Sequence, residues 1–292
     1  MFNVVTMPYQ NKTEFLKIPE VSQFVEHLSK LISLDEDFHH TYSDWNCDSL
    51  LDAKRKYKWF GTYNENKKLL EGFSSGLQSA LNQNNEELAF IFAIKIMDWG
   101  QVHKGCVEYV IKKYEEKSLC KSILLAVSIL DGSNYELDSF DQIQLRMDSG
   151  LTKVYSLASS QSIIYDSRVT AALLLIGYRL FGEERISSFS HLELFSAGKS
   201  TGKIKKRMEI NGHKVIPRVL EPFKENKRDK SFFPVQAHFN LISNWMLQEA
   251  TRKALINSNQ NVLKLWEEEN SLSLLRAVES SLFMIGADIT LG

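Results

Sequence analysis

The sequence is poor in the residues that interrupt regular structure or cross-link a chain. Its 292 residues include 14 glycines, 5 prolines and 3 cysteines. Few glycines and prolines, with many Leu, Ile, Ala, Lys and Glu, favour helices over a turn-rich β-protein. Three cysteines without CxxC spacing exclude a disulfide framework, an iron–sulfur cluster and an all-cysteine zinc site. This usage is typical of a reducing compartment, so we expect a cytoplasmic protein.

Long hydrophobic runs are also missing. The longest apolar stretches, such as the one around Thr170 to Ile176, span about ten residues, whereas a membrane helix needs about 20. The segment from Met1 to Thr13 has no basic region followed by an apolar one, so no signal peptide is expected. With 43% hydrophobic and 24% charged residues, the chain has the composition of a soluble globular protein without membrane partners.

The chain has almost no net charge, but its charges are unevenly distributed. The total is −1, from 35 Lys and Arg against 36 Asp and Glu. Residues 199–230 hold eleven basic and four acidic side chains, so this segment carries +7 and the remainder −8. Such a basic segment is suited to bind the phosphate oxygens of a nucleic acid. The alternative interpretation is a solvated loop that binds no ligand. The basic residues expected to contact DNA are Lys199, Lys203, Lys205, Lys206 and Arg207.

Two other motifs do not indicate ligand sites. Gly198-Lys199-Ser200 matches the end of a phosphate-binding P-loop, but the required upstream glycine is replaced by Glu193, so no nucleotide cofactor is expected. His39 and His40 lie near several acidic residues, but their spacing fits no zinc template. We therefore predict neither a cofactor nor a metal.

Apolar residues recur at helical spacing through most of residues 14–182. The nearly continuous apolar segment Glu86 to Trp99 predicts a central helix that is buried on most faces. A triple glutamate, Glu267–Glu269, is expected on a solvated helix face. The predicted helices cover residues 15–28, 64–83, 86–99, 102–116, 119–130, three shorter ones within 137–182, and then about 234–257 and 261–285.

The stretch 187–232 differs from the rest because it is polar and irregular. Its one clear signal is Asn211-Gly212 between the β-prone runs 208–210 and 213–216, which predicts a hairpin. The sequence therefore predicts one mainly α unit. It comprises a core over 14–182, a basic insertion with a small β-hairpin over 187–232, and C-terminal helices over 234–285 that pack on the core.

Residues 147–169 combine a turn, a short helix and a loop that ends in an aspartate. Thr152 and Lys153 lie in the first turn of the helix, and Asp166 begins the next helix thirteen residues after the lysine. This order resembles the helix-hairpin-helix DNA glycosylase superfamily. Thr152-Lys153-Val154 is similar to its 8-oxoguanine DNA glycosylase branch, whose hairpin carries a catalytic lysine. Residues 164–169 (Ile-Tyr-Asp-Ser-Arg-Val) are similar to the family's Asp-x-x-Val element.

A second match lies about fifty residues upstream. Residues 96–102 (Ile-Met-Asp-Trp-Gly-Gln-Val) are similar to the family's helix–loop–helix element, whose loop wedges into the duplex beside a flipped base. Together the two matches cover roughly residues 85–182. The sequence departs from the family at the hairpin, where the usual two glycines are Ser149 and Leu151.

The resemblance implies a helical fold like that of the helix-hairpin-helix glycosylases. It also implies that the protein removes a damaged or modified base from double-stranded DNA. 8-Oxoguanine is the first candidate for that base. Lys153 would be the nucleophile that forms a Schiff base and allows strand cleavage by β-elimination. Asp166, kept ionised at a helix N-terminus, would stabilise the oxocarbenium-like state and act as the acid/base partner.

The resemblance also assigns residues around the catalytic pair. A base must leave the helical stack before it is cut, which calls for a wedge and a pocket. Gln101 is the expected wedge, and Trp99 and Tyr165 are expected to line the base pocket. Thr152 and Arg168 complete the residues expected to contact DNA.

Two other interpretations remain open at this point. The missing hairpin glycines favour a non-catalytic DNA-binding protein on the same scaffold. Alternatively, the chain is a helical protein-interaction module in which Lys153 and Asp166 form an ordinary ion pair. The glycosylase hypothesis requires both side chains to face one cleft at close distance.

Overall fold

The structure is a computed structural model that describes residues 11–102, 104–132, 136–159, 161–182, 209–210, 213–214, 232–259 and 261–290. These residues form twelve α-helices, one short 3-10 helix and two antiparallel two-stranded sheets, so the prediction of a mainly α protein is confirmed. None of the described helices combines the length and the apolar character needed to cross a membrane.

The helices are, in chain order, α1 (Lys12–Lys17), α2 (Pro19–Ser33), α3 (Leu50–Arg55), α4 (Tyr63–Asn82), α5 (Glu86–Trp99), α6 (Lys104–Glu115), α7 (Leu119–Leu130), α8 (Leu151–Ala158), α9 (Ser167–Phe181), α10 (Phe232–Asn257), α11 (Val262–Trp266) and α12 (Ser271–Ile285). A 3-10 turn (Leu137–Ser139) precedes α8. Strand β1 (His40–Tyr42) pairs with β2 (Trp45–Cys47), a hairpin that the sequence analysis missed. Strand β3 (Glu209–Ile210) pairs with β4 (His213–Lys214), which confirms the predicted hairpin.

The described residues divide into two compact units, each assembled from separate stretches of chain. The first unit contains residues 64–166 and 232–244, and the second contains 11–63, 167–182 and 245–290 with the β3–β4 strands. The predicted subdivision at 14–182, 187–232 and 234–285 stays a prediction. The unit boundaries fall after the first residue of α4, at the start of α9 and inside α10.

In the first unit, α5 packs against α6, α7 and α8. The sequence predicts burial on most faces of α5, and this prediction is wrong, since Leu88 and Ile91 are 40% and 38% exposed. The buried positions recur every three or four residues, so one side of the helix faces the core. Composition alone does not show how many neighbours a helix has. The buried residues of α5 are Ala89, Ala93, Ile96 and Met97.

In the second unit, α12 packs against α3 and α9, and α2 also contacts both. The aromatic rings of Phe15 and Trp245 lie 5.7 Å apart between centroids. The predicted helix over 15–28 is in fact two helices, because Pro19 begins α2. The residue before a proline avoids helical backbone, and Ile18 accordingly has ψ 127°.

The predicted helix over 261–285 is also divided, at the triple glutamate. Glu267 adopts a left-handed conformation (φ 57°) that ends α11, and Asn270 caps α12 through the amides of its first turn. The assignment of the triple glutamate to a solvated helix face is wrong, because the Glu268 side chain is fully buried. Its carboxylate lies 3.2 Å from Lys54 Nζ and accepts a hydrogen bond of 2.8 Å from the Tyr63 hydroxyl.

We expect Glu268→Ala to lower the free energy of unfolding by about 3–5 kcal/mol, because Lys54 is left as a buried charge without its carboxylate. The lysine side chain is only 6% exposed. Urea denaturation at pH 7 measures the change. Glu269→Ala removes a neighbouring exposed carboxylate and should cost less than about 0.5 kcal/mol. Equal losses in the two variants would contradict the role of the buried pair.

Candidate active site

The structure brings Lys153 and Asp166 together in the first unit. Lys153 lies in the first turn of α8, and Asp166 is the residue before α9. Lys153 Nζ is 3.7 Å from Asp166 Oδ2, and their side chains are 10% and 11% exposed. The ammonium also donates a hydrogen bond of 2.8 Å to the carbonyl of Ser149. The pair is thus largely shielded from water but keeps a small accessible surface.

Two buried asparagines of α10 hold the loop between the lysine and the aspartate. Asn244 Oδ1 accepts a hydrogen bond of 2.9 Å from the amide of Ile163. Asn240 Nδ2 donates to Thr152 Oγ1 at 2.8 Å, and the amide of Tyr165 donates to the same oxygen at 3.0 Å. Both asparagines are completely buried, where a lost hydrogen bond is costly. The network therefore fixes the end of the loop that leads to the aspartate.

The beginning of the same loop is fixed by Asp131. Its Oδ1 accepts hydrogen bonds from the hydroxyls of Ser159 at 2.5 Å and Ser162 at 2.9 Å. Ser159 Oγ in turn accepts from the amides of Gln161 and Ser162. The loop is consequently anchored at both ends by side chains outside it.

Asp148 organises the turn before α8. Its Oδ1 accepts hydrogen bonds from the amides of Gly150 and Leu151 at 3.0 and 3.1 Å, and its Oδ2 accepts from Arg146 Nε at 2.8 Å. Burial opposes ionisation, but Arg146 and these donors outweigh it and hold the pKa of Asp148 below its ordinary value. The amides of this turn are therefore already bound inside the protein.

The loop after α5 packs against this turn. A methyl group on Gly100 would lie 2.4 Å from Lys153 Cδ, and one on Gly150 would lie 2.5 Å from Val102 Cγ1. Gln101, between the two contacts, is exposed and has a left-handed backbone with φ 48°. The structure therefore places the expected wedge residue on the loop that touches the lysine stem.

We expect Gly100→Ala to displace the Lys153 side chain, because a Cβ atom cannot occupy the space that the lysine stem fills. The variant should fold but lose most of the Lys153-dependent activity proposed below, by about tenfold or more, since small misplacements of reacting groups are costly. The yield of covalent adduct with DNA measures this. Gly72→Ala in α4, where no atom lies within 4 Å of the added carbon, is the control and should keep full activity. Full activity of the Gly100 variant would refute the packing argument.

The remaining predicted residues occupy different environments. Thr152 and Tyr165 are each 1% exposed, so the threonine hydroxyl serves the internal network and the tyrosine ring lies within the protein. Trp99 is half-buried, and its indole donates to Asn66 Oδ1 at 2.9 Å. Arg168 belongs to the second unit, where its guanidinium lies over aromatic rings. The basic residues Lys199, Lys203, Lys205, Lys206 and Arg207 lie outside the described residues.

Sequence reasoning missed the residues that support the pair. Asn240 and Asn244 are four positions apart in a largely apolar stretch of α10. A polar pair at helical spacing among core residues is a recognisable signal, because buried amides require partners. Asp148 and Gly100 have weaker signals, since an aspartate before a turn and a glycine after a helix are common features.

Within the described ranges, no group of three or more His, Cys, Asp or Glu is arranged to bind a metal ion. His39 instead pairs with Asp48 at 3.1 Å, and His40 Nε2 lies 2.8 Å from the carbonyl of Asp288.

Comparison with known proteins finds no match to a protein-family model, a curated protein or a solved structure. Any function must therefore be argued from the chemistry of the residues themselves.

Proposed function

We propose that this protein is a DNA glycosylase with associated lyase activity, which excises a damaged or modified base from double-stranded DNA. 8-Oxoguanine is the first substrate to test. The observation that carries the proposal is the shielded Lys153–Asp166 pair, whose reactive atoms lie 3.7 Å apart. A nucleophile with an acid/base group within reach is the arrangement that covalent catalysis requires.

The chemistry assigns a distinct task to each group. Asp166 accepts the proton that Lys153 must lose before it attacks. The amine nitrogen then bonds to C1′ of the deoxyribose while the glycosidic C–N bond breaks, and the departing base keeps the electron pair and takes up a proton. Asp166 gives that proton to the departing base as the bond breaks, and the carboxylate so regenerated stabilises the positive charge that develops on the sugar. Ring opening gives a Schiff base, from which β-elimination of the 3′ phosphate cleaves the strand.

The surroundings of the pair support base extrusion. A flipped base needs a side chain to fill the gap that it leaves in the duplex. Gln101 is exposed at the tip of a tight loop, and the adjacent Gly100 contacts the lysine stem. Trp99, at the end of α5, supplies a half-buried aromatic ring beside this loop. We assign the wedge to Gln101 and part of the base pocket to Trp99.

Borohydride trapping tests the proposal. The full-length protein is incubated with a duplex carrying one 8-oxoguanine, and then with duplexes carrying other modified bases or an abasic site. Borohydride reduces a Schiff base to a stable amine, so an active enzyme yields a covalent protein–DNA adduct. Peptide mapping should locate the adduct at Lys153. The absence of any adduct and of any base release across the panel would rule out a lysine glycosylase.

A second candidate is a non-catalytic DNA-binding protein. It is favoured over the enzyme by the hydrogen bond from Lys153 to the Ser149 carbonyl, which engages the amine that the enzyme would need as its nucleophile. Salt-dependent binding to duplexes, without adduct formation or base release, would support this candidate over the enzyme.

A further inference from the structure

An exposed aromatic turn lies between α3 and α4 in the second unit. We define it as residues 58–61 (Lys-Trp-Phe-Gly). Phe60 is 67% exposed and adopts a left-handed backbone with φ 52°, a conformation that is uncommon for bulky residues. Its ring meets the Trp59 ring edge to face, with centroids 5.1 Å apart. The backbone thus holds a large apolar ring out towards solvent, where it gains nothing from burial in the core.

Cations accompany these rings. The Arg168 guanidinium lies 5.2 Å from the centre of the Trp59 ring and 4.3 Å from that of Phe283. Phe283 also packs edge to face against Trp59 at 5.4 Å. Lys58, the first residue of the aromatic turn, is exposed. The surface therefore combines a stacking face with positive charge, and the ring below Phe60 is braced by a cation–π contact.

We propose that the aromatic turn stacks on an unpaired nucleobase of DNA, while Lys58 contacts the adjoining phosphate. Aromatic rings next to basic side chains are the means by which proteins hold bases that have left a duplex, and the stacking does not depend on base identity. Aromatic rings and arginine also suit a protein interface, but lysine is depleted at the centre of such interfaces, so Lys58 favours a nucleic acid. The inference rests on the proposed function in taking DNA as the ligand, but it involves neither Lys153 nor Asp166.

A duplex with one unpaired 2-aminopurine tests the inference, because the fluorescence of this base is quenched by stacking. Wild-type protein should quench the 2-aminopurine fluorescence more strongly than protein that contacts only the DNA phosphates. Phe60→Ala should abolish the added quenching and weaken binding of this duplex about 5- to 150-fold, with no change for a fully paired duplex. Phe60→Trp keeps an aromatic ring and should retain both the added quenching and the wild-type binding of the duplex with the unpaired base. Lys58→Ala should weaken binding to both duplexes alike. It should also reduce the slope of log binding constant against log salt concentration by about 1, the loss of one phosphate contact.

Two further variants make the result specific. Phe60→Leu keeps an apolar side chain but removes the ring, so it should behave like Phe60→Ala. Ile256→Ala removes another exposed apolar side chain, 64% exposed, from the same unit and should behave like wild type. Unchanged binding in Phe60→Ala would overturn the inference. Wild-type binding in Phe60→Leu would also overturn it and would assign the turn to an apolar contact such as a protein partner.

The outcome is separable from that of the proposed enzyme. Phe60-dependent quenching without any borohydride adduct would retain the stacking surface and remove the glycosylase. Adduct formation at Lys153, together with binding that does not depend on Phe60, would retain the glycosylase and remove the stacking surface.

Discussion

Lys153→Gln should yield no borohydride adduct and should lower strand cleavage at a preformed abasic site by about a thousandfold or more, as expected when a covalent nucleophile is removed. Glutamine is one atom shorter than lysine, but it keeps an unbranched stem and a terminal N–H donor on the side of the Ser149 carbonyl. The substitution therefore removes the attacking amine with little disturbance of the turn before α8. Single-turnover kinetics on the abasic duplex, together with the adduct yield, measure the effect.

Lys113→Gln is a matched control for this experiment. Lys113 lies in α6 of the same unit, its side chain is also 10% exposed, and it pairs with Glu116 at 3.3 Å. Its removal should cost similar stability but leave the adduct yield unchanged. A Lys153→Gln protein that still forms an adduct would show that another amine is the nucleophile. Activity loss in both lysine variants would indicate a general effect on folding.

Asp166→Asn should slow base release about 10²–10³-fold, the usual loss when one group that stabilises transition-state charge is removed. The amide keeps the shape of the side chain but can neither accept a proton from Lys153 nor balance the positive sugar. The loss should be smaller on a preformed abasic site, because no glycosidic bond has to break there. The ratio of the two rates, from gel assays on the two duplexes, is the quantity to measure.

Glu116→Gln provides the corresponding control, since it neutralises the acidic partner of Lys113. It should leave both rates unchanged. If Asp166→Asn slows both reactions equally, the carboxylate acts only by positioning the lysine. If it slows neither, Asp166 takes no part in the chemistry and the 3.7 Å pair is a structural ion pair.

The support of the pair shows why its geometry could not be predicted. Lys153 and Asp166 are thirteen residues apart, and the loop that joins them takes its shape from Asn240 and Asn244, about eighty residues further along. The spacing of the two asparagines marks buried amides on one helix face, but nothing in the sequence says which distant segment they bond. These hydrogen bonds depend on which face of α10 meets the loop, and this is decided by packing.

The fate of the glutamates at 267–269 shows the same limitation. Charge alone predicts three solvated side chains, yet Glu268 is buried against Lys54 and Tyr63. These partners lie more than two hundred residues earlier in the chain. Only the assembly of the second unit from separate stretches brings the opposite charge close enough to offset the cost of burial.

The sequence by itself determined the helical class, most helix bounds in residues 63–181 and the β3–β4 hairpin, because these follow from local periodicity and turn chemistry. Lys153 and Asp166 were picked out only through a family resemblance, and their catalytic roles stay a proposal. The tertiary structure alone decided their separation, the engagement of the amides in the turn before α8 by Asp148 and the exposure of Phe60. Each of these depends on contacts between segments far apart in the chain. The near-neutral net charge likewise gives no hint that cations and aromatic rings meet at one turn.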